Sequence, residues 1–284
     1  MSRLPRRDPP CPPSQPVRAA GFRRLALFRR DQANAGAGIR SPPAGLARPG
    51  SRGGFVRPDL AIIVPVLEEA PSLASRLQAL EPLRRRRARV VVVDGGSRDD
   101  TLAIGHARAD LALRAPRGRA AQMNAGAAAC PADLLLFLHA DTALPDRADA
   151  LIVDACGGRF GWGRFDVHIE SREPLLRIVA ALMNIRSRVT GIATGDQALF
   201  VRHELFQRIG GFPDLPLMED IAISRRLKRQ GPPACLRERV TTSARRWERH
   251  GVWRTIFLMW RLRAAFFLGA DPRQLARDYG YRPR

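Results

Sequence analysis

Lysine is almost missing from this sequence: of 48 basic residues, all but Lys228 are arginine. Acidic residues are scarce as well, 27 in all, so the formal charge is +21. Such an excess ordinarily points to a polyanionic partner, because basic surfaces concentrate nucleic acid or anionic membrane by long-range attraction. Here the arginines run through the whole chain, and no aromatic stacking platform accompanies them, so no specific nucleic acid is expected as a partner and a basic nucleic-acid binder stays a third-ranked alternative. Cysteine is also rare. Cys11, Cys130, Cys156 and Cys235 stand far apart with no C-x-x-C pair of the kind that builds a zinc site, which suits reduced thiols in the cytosol. No run approaches the roughly 20 apolar residues that span a bilayer. The first residues lack a clean signal peptide, so a cytoplasmic protein is expected, associated at most with the inner face of the membrane. A Gly-rich, Arg-bearing phosphate loop ending in lysine is missing after the first apolar run, which disfavours a nucleotidyltransferase without removing it as the alternative.

What is present begins with a compositional break. Residues 1–57 hold nine prolines and twelve arginines against Asp8 and Asp31, with little apolar periodicity. Such a segment buries too little to offset chain entropy and reads as a disordered Arg/Pro-rich tail. An organellar presequence or an upstream start-codon artefact would have a similar composition. Residues 58–284 read as one α/β domain, since 45% apolar content can fill a sizeable core.

Leu60–Val66 is a continuous apolar run, as in a strand buried on both faces, and is followed by a helix with Leu73, Leu77 and Leu80 on one side. Arg89–Asp94 repeats the strand pattern. Ser97, three residues before Asp100, resembles a capping box for the next helix. A short strand near Leu111–Arg114, a helix through Gly118–Ala129 and the strand Leu134–Leu138 follow. This alternation predicts an open, mostly parallel sheet whose ligand sits at the carboxyl ends of its strands. Beyond it, Phe165, Val167 and Ile169 alternate as in a half-buried strand, Leu175, Leu176, Val179 and Met183 follow helical spacing, and Gln197–Val201 reads as another strand. A last helix, from about Val252 to Leu268, aligns Trp253, Phe257, Trp260, Ala264 and Phe267 on one stripe. That stripe is expected to pack on the sheet; resting on a membrane or holding a lipid-like acceptor is the alternative.

Four acidic features fall at strand ends or in loops. Glu68-Glu69 follows the first strand. Asp94 ends the second, before Gly95-Gly96, where a carboxylate can accept hydrogen bonds from a base or ribose. Helix-terminal acids and turn glycines would look the same. His139-Ala140-Asp141 follows five apolar residues, and a carboxylate there can hold Mg²⁺ or Mn²⁺ against a diphosphate, although Asp141 would serve equally as a helix N-cap. Glu219-Asp220 opens a helix after a proline-rich turn, where a carboxylate can take a proton from an attacking hydroxyl. Plain helix-N-terminal acids again fit. His250 is a further candidate ligand, more simply a surface residue.

Taken together, Pro65-Val66-Leu67-Glu68-Glu69, Val93-Asp94-Gly95-Gly96-Ser97 with Asp99 and Thr101, His139-Ala140-Asp141, Met218-Glu219-Asp220 and Arg246-Trp247 occur in the order seen in family 2 glycosyltransferases. The chain resembles that family over about Leu60–Gly269. Gly118-Arg119-Ala120-Ala121-Gln122-Met123-Asn124-Ala125-Gly126, Thr194-Gly195-Asp196-Gln197 and Leu215–Asp220 are similar to a bacterial subgroup of radical-SAM- and selenodomain-associated transferases. The resemblance implies a GT-A fold acting on a nucleotide-sugar donor with a divalent cation, with site residues carried over motif by motif. Pro65, Glu68, Glu69, Asp94, Arg119 and Asn124 would belong to the donor site, with Arg246 and Trp247 near the diphosphate. Asp141 would hold the metal, with His139 standing where the family usually has a second carboxylate. Asp220 would be the base, with Glu219 beside it, and inversion at the anomeric carbon would follow. Gly195, Asp196 and Gln197 would line the pocket of a small-molecule or lipid-like acceptor. Ser243 through Trp247 lack the Gln of the family's Q-x-x-R-W motif, which implies a single sugar transfer rather than polymer synthesis.

Overall fold

The computed structural model describes residues 59–281, and the disordered tail expected over residues 1–57 lies outside them. One sheet contains β1 (Leu60–Val66), β2 (Ala88–Asp94), β3 (Leu111–Arg114), β4 (Leu134–Phe137), β5 (Thr142–Ala143), β6 (Trp162–Glu170), β7 (Leu199–Arg202) and β8 (Ala234–Ser243). Their spatial order is β3-β2-β1-β4-β7-β6-β8-β5. The β1–β2, β1–β4, β2–β3 and β6–β8 pairs are parallel, and β7 runs antiparallel to β4 and β6. The mostly parallel α/β sheet read from the alternation is therefore present.

The apolar runs form strands because both of their faces are covered. Ile62, Val64, Val90, Val92 and Leu136 enter one core cluster, whereas Ile63, Val91, Val93, Leu135 and Phe137 enter another on the opposite face. Side chains alternate across a strand, so a strand feeding two cores must be apolar at every position. Each such buried Val, Leu or Ile contributes roughly 1.5–3 kcal/mol. Helices Ala70–Ala79, Ala148–Gly157 and Pro174–Thr190 supply the first cluster; Arg119–Ala129, His203–Arg208 and Glu219–Lys228 supply the second. Helix Arg119–Ala129 approaches β1 so closely that a Cβ at Gly126 would lie 2.6 Å from Ile63 Cγ2. Pro65 is tolerated in β1 because it lies beyond the last β1–β4 pair, Ile63–Phe137, so its missing N–H breaks no bond in that ladder.

Three local expectations are corrected. Ser97 does not cap the helix Thr101–Arg108: its hydroxyl donates to Asp94, and Asp100 at the N-cap makes no side-chain cap bond. The strand expected from Gln197 starts at Leu199, because Thr194 and Gln197 close a reciprocal cap around the 3-10 turn Gly195–Gln197. The third correction concerns the aromatic stripe of helix Val252–Phe267, which faces outward. Both faces of the sheet already carry helices, so this helix buries Thr255 and Leu262 instead, the latter in a small separate cluster with Leu217, Met218, Ile221 and Leu275.

Candidate active site

Because β1, β2 and β4 are parallel neighbours, their carboxyl ends share one edge of the sheet. The loops that carry Glu68-Glu69, Asp94–Ser97 and His139–Asp141 all leave from that edge. The first two are laced together: the Glu68 N–H donates to Ser97 Oγ at 2.9 Å, and the Glu69 N–H to Thr101 Oγ1 at 2.8 Å. Glu68 Oε1 in turn accepts from the Arg98 N–H at 2.9 Å. Asp94 is fully buried, and its oxygens accept from the Gly96 and Ser97 N–H groups at 3.1 Å as well as from the Ser97 hydroxyl. Asp94 thus shapes the loop after β2, with the Arg114 guanidinium 3.7 Å away.

A second set of groups arrives from the 3-10 turn and from helix Glu219–Lys228. His139 lies directly against Gly195, where a side chain of any kind would overlap the imidazole. Its Nδ1 is 3.3 Å from Asp196 Oδ1. The Gly195 N–H donates to Asp220 Oδ2 at 3.0 Å, and the Ile221 N–H to Asp220 Oδ1 at 2.7 Å. His139, the adjacent pair Gly195-Asp196, and Asp220, from three separate segments of the chain, therefore form one continuous chain of contacts. Glu219 is buried beside Asp220. Arg246 stacks its guanidinium 3.6 Å from the centroid of the Tyr279 ring. Arg245 reaches Glu69 at 3.6 Å, joining the segment after β8 to the loop after β1.

The charges in this cluster perturb one another. Burial, together with the Asp220 carboxylate, pushes Glu219 up to about 7. Burial also raises Asp220, against the Gly195 and Ile221 N–H groups that favour its anion. Desolvation opposes the charge on Arg119 although its surface remains exposed, yet the nearby Glu219, Tyr279, Asp196 and Asp220 outweigh it and hold the guanidinium more firmly protonated than usual. Burial likewise disfavours the Asp196 anion, but the hydrogen bond and charge of His139, with Arg119 and Arg246, bring its net shift downward. Arg246 is lowered, by burial first. Of the five non-glycine residues with left-handed backbone among the described residues, Glu68 (φ 54°), Ala198 (φ 48°) and Met218 (φ 67°) flank the groups just described, while Arg87 and Arg147 lie elsewhere. Such local strain is retained only if the surroundings enforce it.

Among the described residues, no three His, Cys, Asp or Glu side chains gather as a metal cage. Of the two expected ligands, His139 is taken up by Asp196 and Gly195, whereas Asp141 accepts only a long 3.4 Å bond from the Thr142 hydroxyl. A single available carboxylate fits a hard cation that keeps its other positions for phosphate oxygens and water. Several expected site residues are engaged elsewhere. Asn124 clamps Phe212, donating to its carbonyl and accepting from its N–H, each at 2.9 Å. Gln197 is fully buried and donates to Asn184 Oδ1 at 3.4 Å, so it shapes the turn while the half-buried Gly195 and Asp196 lie against His139. Trp247 packs against the main core, and His250 is exposed at the end of helix Arg245–His250. Two residues escaped sequence reasoning. Tyr279 sits just beyond the last helix, with nothing in its spacing to mark it. Arg186 resembles any outward arginine of an amphipathic helix, yet its Nε and Nη2 are buried without a hydrogen-bond partner, and it feels the charges of Asp220 and Asp196.

Residues 61–158 match the family model Glycosyl transferase family 2. The match spans the loops bearing Glu68, Asp94 and Asp141 and stops before Glu219. Among solved structures, the mannosyltransferase PcManGT from Pyrobaculum calidifontis, in complex with GDP-Man and Mn2+, is similar with a TM-score of 0.53 and 22% identity, covering 74% of this chain and 61% of that one. TarS 1-349 from S. aureus gives a TM-score of 0.52 and 16% identity, covering 66% of this chain and 60% of that one. The complex of TarS 1-349 with UDP-GlcNAc gives 0.52 and 16%, covering 65% and 58%. This chain thus spans about three fifths of the length of these structures. No curated protein matches the sequence. Residues 61–158, about a third of the chain, are thus similar to the family 2 glycosyltransferase model, and the fold is that of the GT-A glycosyltransferases.

Proposed function

We propose that the chain is an inverting glycosyltransferase that moves a sugar from a nucleoside-diphosphate donor to an acceptor hydroxyl, with Asp220 as the general base. The observation that carries this reading is the fixed carboxylate of Asp220, half-buried and held by two backbone N–H groups, in a cluster that also contains Arg119 and His139. The acceptor oxygen attacks the anomeric carbon, the bond from that carbon to the diphosphate oxygen breaks, and its electron pair leaves on the nucleoside diphosphate. The acceptor proton passes to Asp220. A carboxylate whose proton affinity is raised by burial is a better base near neutral pH than one in water. Asp220 is the more accessible member of the pair; Glu219, buried and bordering Arg119, positions it electrostatically.

Arg119 and Arg246 provide the cationic side of the cleft, and a guanidinium pairs with phosphate oxygens in a bidentate way. A divalent cation, when bound at Asp141, supplies charge neutralisation for the departing diphosphate. The neighbours crystallised with GDP-Man and Mn2+ or with UDP-GlcNAc support a nucleotide-sugar donor and a divalent cation. The loop after β1 and Asp94 with its glycines frame the nucleoside end, and Gly195 and Asp196 frame the acceptor, a small-molecule or lipid-like hydroxyl. The Gly118–Gly126 and Thr194–Gln197 wording supports placement in the radical-SAM- and selenodomain-associated subgroup. The test is Asp220→Ala assayed for transfer and for donor binding. Loss of turnover with donor-induced thermal stabilisation retained is expected; normal turnover would remove Asp220 as the base.

A further inference from the structure

Helix Val252–Phe267 turns large apolar side chains into solvent: Trp253 and Phe257 are each 73% exposed, Trp260 70% and the following Leu268 87%. An exposed apolar patch of this kind marks a contact surface. About 100° of rotation per residue places Arg254 and Arg261 along one flank of the stripe and Arg263 along the other. An apolar face bearing tryptophans and bordered by arginines is the pattern of a helix that lies in the plane of a bilayer interface. A second exposed row, Ile178, Leu182, Ile185 and Val189, runs along helix Pro174–Thr190. The ends of the two rows are joined by helix Glu219–Lys228. Lys228 Nζ donates to the Thr190 carbonyl, and the Arg225 guanidinium lies 5.2 Å from the centroid of the Phe267 ring. Two cations three residues apart on one helix therefore separate the apolar rows.

We propose that the chain docks on an anionic bilayer through this surface, with Trp253, Phe257 and Trp260 at the boundary between headgroups and acyl chains and the flanking arginines on lipid phosphates. No helix among the described residues is long and apolar enough to cross a membrane, so the contact lies along the surface. Charge selects this occupant over a second copy of the chain. Pairing two copies face to face would bring their arginine flanks together, whereas an anionic headgroup layer complements them. Asp278, which meets Arg261 at 3.2 Å, is an acidic counterweight on one flank. The buried side of the helix packs on Leu217 and Met218, which immediately precede Glu219 and Asp220, so the docking element and the candidate base belong to one packed unit. The inference does not depend on the transfer reading.

Full-length protein floated with vesicles of phosphatidylcholine, alone or mixed with phosphatidylglycerol, provides the test. Salt-sensitive binding to the anionic vesicles is expected, reduced about tenfold or more by Trp253→Asp combined with Trp260→Asp. These positions are exposed, so the melting temperature should be unchanged; the pair Trp253→Ala and Trp260→Ala serves as a milder second variant. Residues 1–57 are present in every protein compared, so any loss reports the helix. Equal binding by wild type and both variants would overturn the proposal, as would failure of the wild type to bind. A wild-type dimer in gel filtration that the substitutions dissociate, with no vesicle binding, would assign the surface to a second copy instead.

Discussion

Glu219→Gln should stabilise the protein at alkaline pH and leave it nearly unchanged in acid. The buried Glu219 carboxyl keeps its proton to about pH 7, against an ordinary value of 4.5. A folded-state value raised above the unfolded one means that stability is fully present below about 4.5 and is lost as pH rises through about 7. Moving the carboxyl from 4.5 to about 7 corresponds to a loss on the order of 3 kcal/mol by pH 8. Glutamine keeps the shape and hydrogen-bonding capacity of the protonated acid and never ionises, so the variant avoids that loss. For a domain of this size, such a difference is worth roughly 6–12 °C in melting temperature. Urea unfolding followed by circular dichroism at pH 4.5, 6 and 8 is the assay. The gap between variant and wild type should open from near zero to its full size across that range. Parallel stability curves, with a constant difference at all three values, would refute the claim that burial beside Asp220 raises the Glu219 carboxyl.

Asp196→Asn removes a negative charge that raises Asp220, so the acid limb of kcat/KM should move to lower pH; an unmoved limb would separate Asp196 from the base. Gly195→Ala drives a methyl into His139 and displaces the N–H that holds Asp220, and a misplacement near 1 Å costs about 100-fold in kcat. Retained kcat with intact folding would show that the contact is incidental. Asp141→Ala should weaken donor binding in Mg²⁺ by about tenfold or more, since even an outer-shell partner of a metal is worth about 10–100-fold. Isothermal titration with a nucleotide sugar, with and without chelator, measures this, and equal affinities would remove the ion from the site.

The sheet was legible because β1, β4 and the Val90–Val93 stretch of β2 are apolar without interruption, a pattern that only strands covered on both faces require. The edge where the site forms was legible for the same reason: Glu68, Asp94 and Asp141 each follow such a run. What spacing could not show was which carboxylates remain open. Asp94 looks as available as Asp220 in the sequence, yet the Gly96 and Ser97 groups enclose it, whereas Asp220 is only half-buried. Asn124 and Gln197 read as ligand-facing polar residues and are taken up by Phe212 and Asn184, partners 88 and 13 residues away. Periodicity identified the stripe on helix Val252–Phe267 but not its direction. An apolar face looks the same whether it meets a sheet or solvent, and here the sheet was already covered by other helices.

The central claim is that Asp220 and the groups around it split a nucleotide sugar. Purified protein incubated with Mg²⁺ or Mn²⁺ and a panel of nucleotide sugars should release free nucleoside diphosphate from at least one donor, and Asp220→Ala should release none. Release of pyrophosphate instead, or equal nucleoside diphosphate from both proteins, would contradict it.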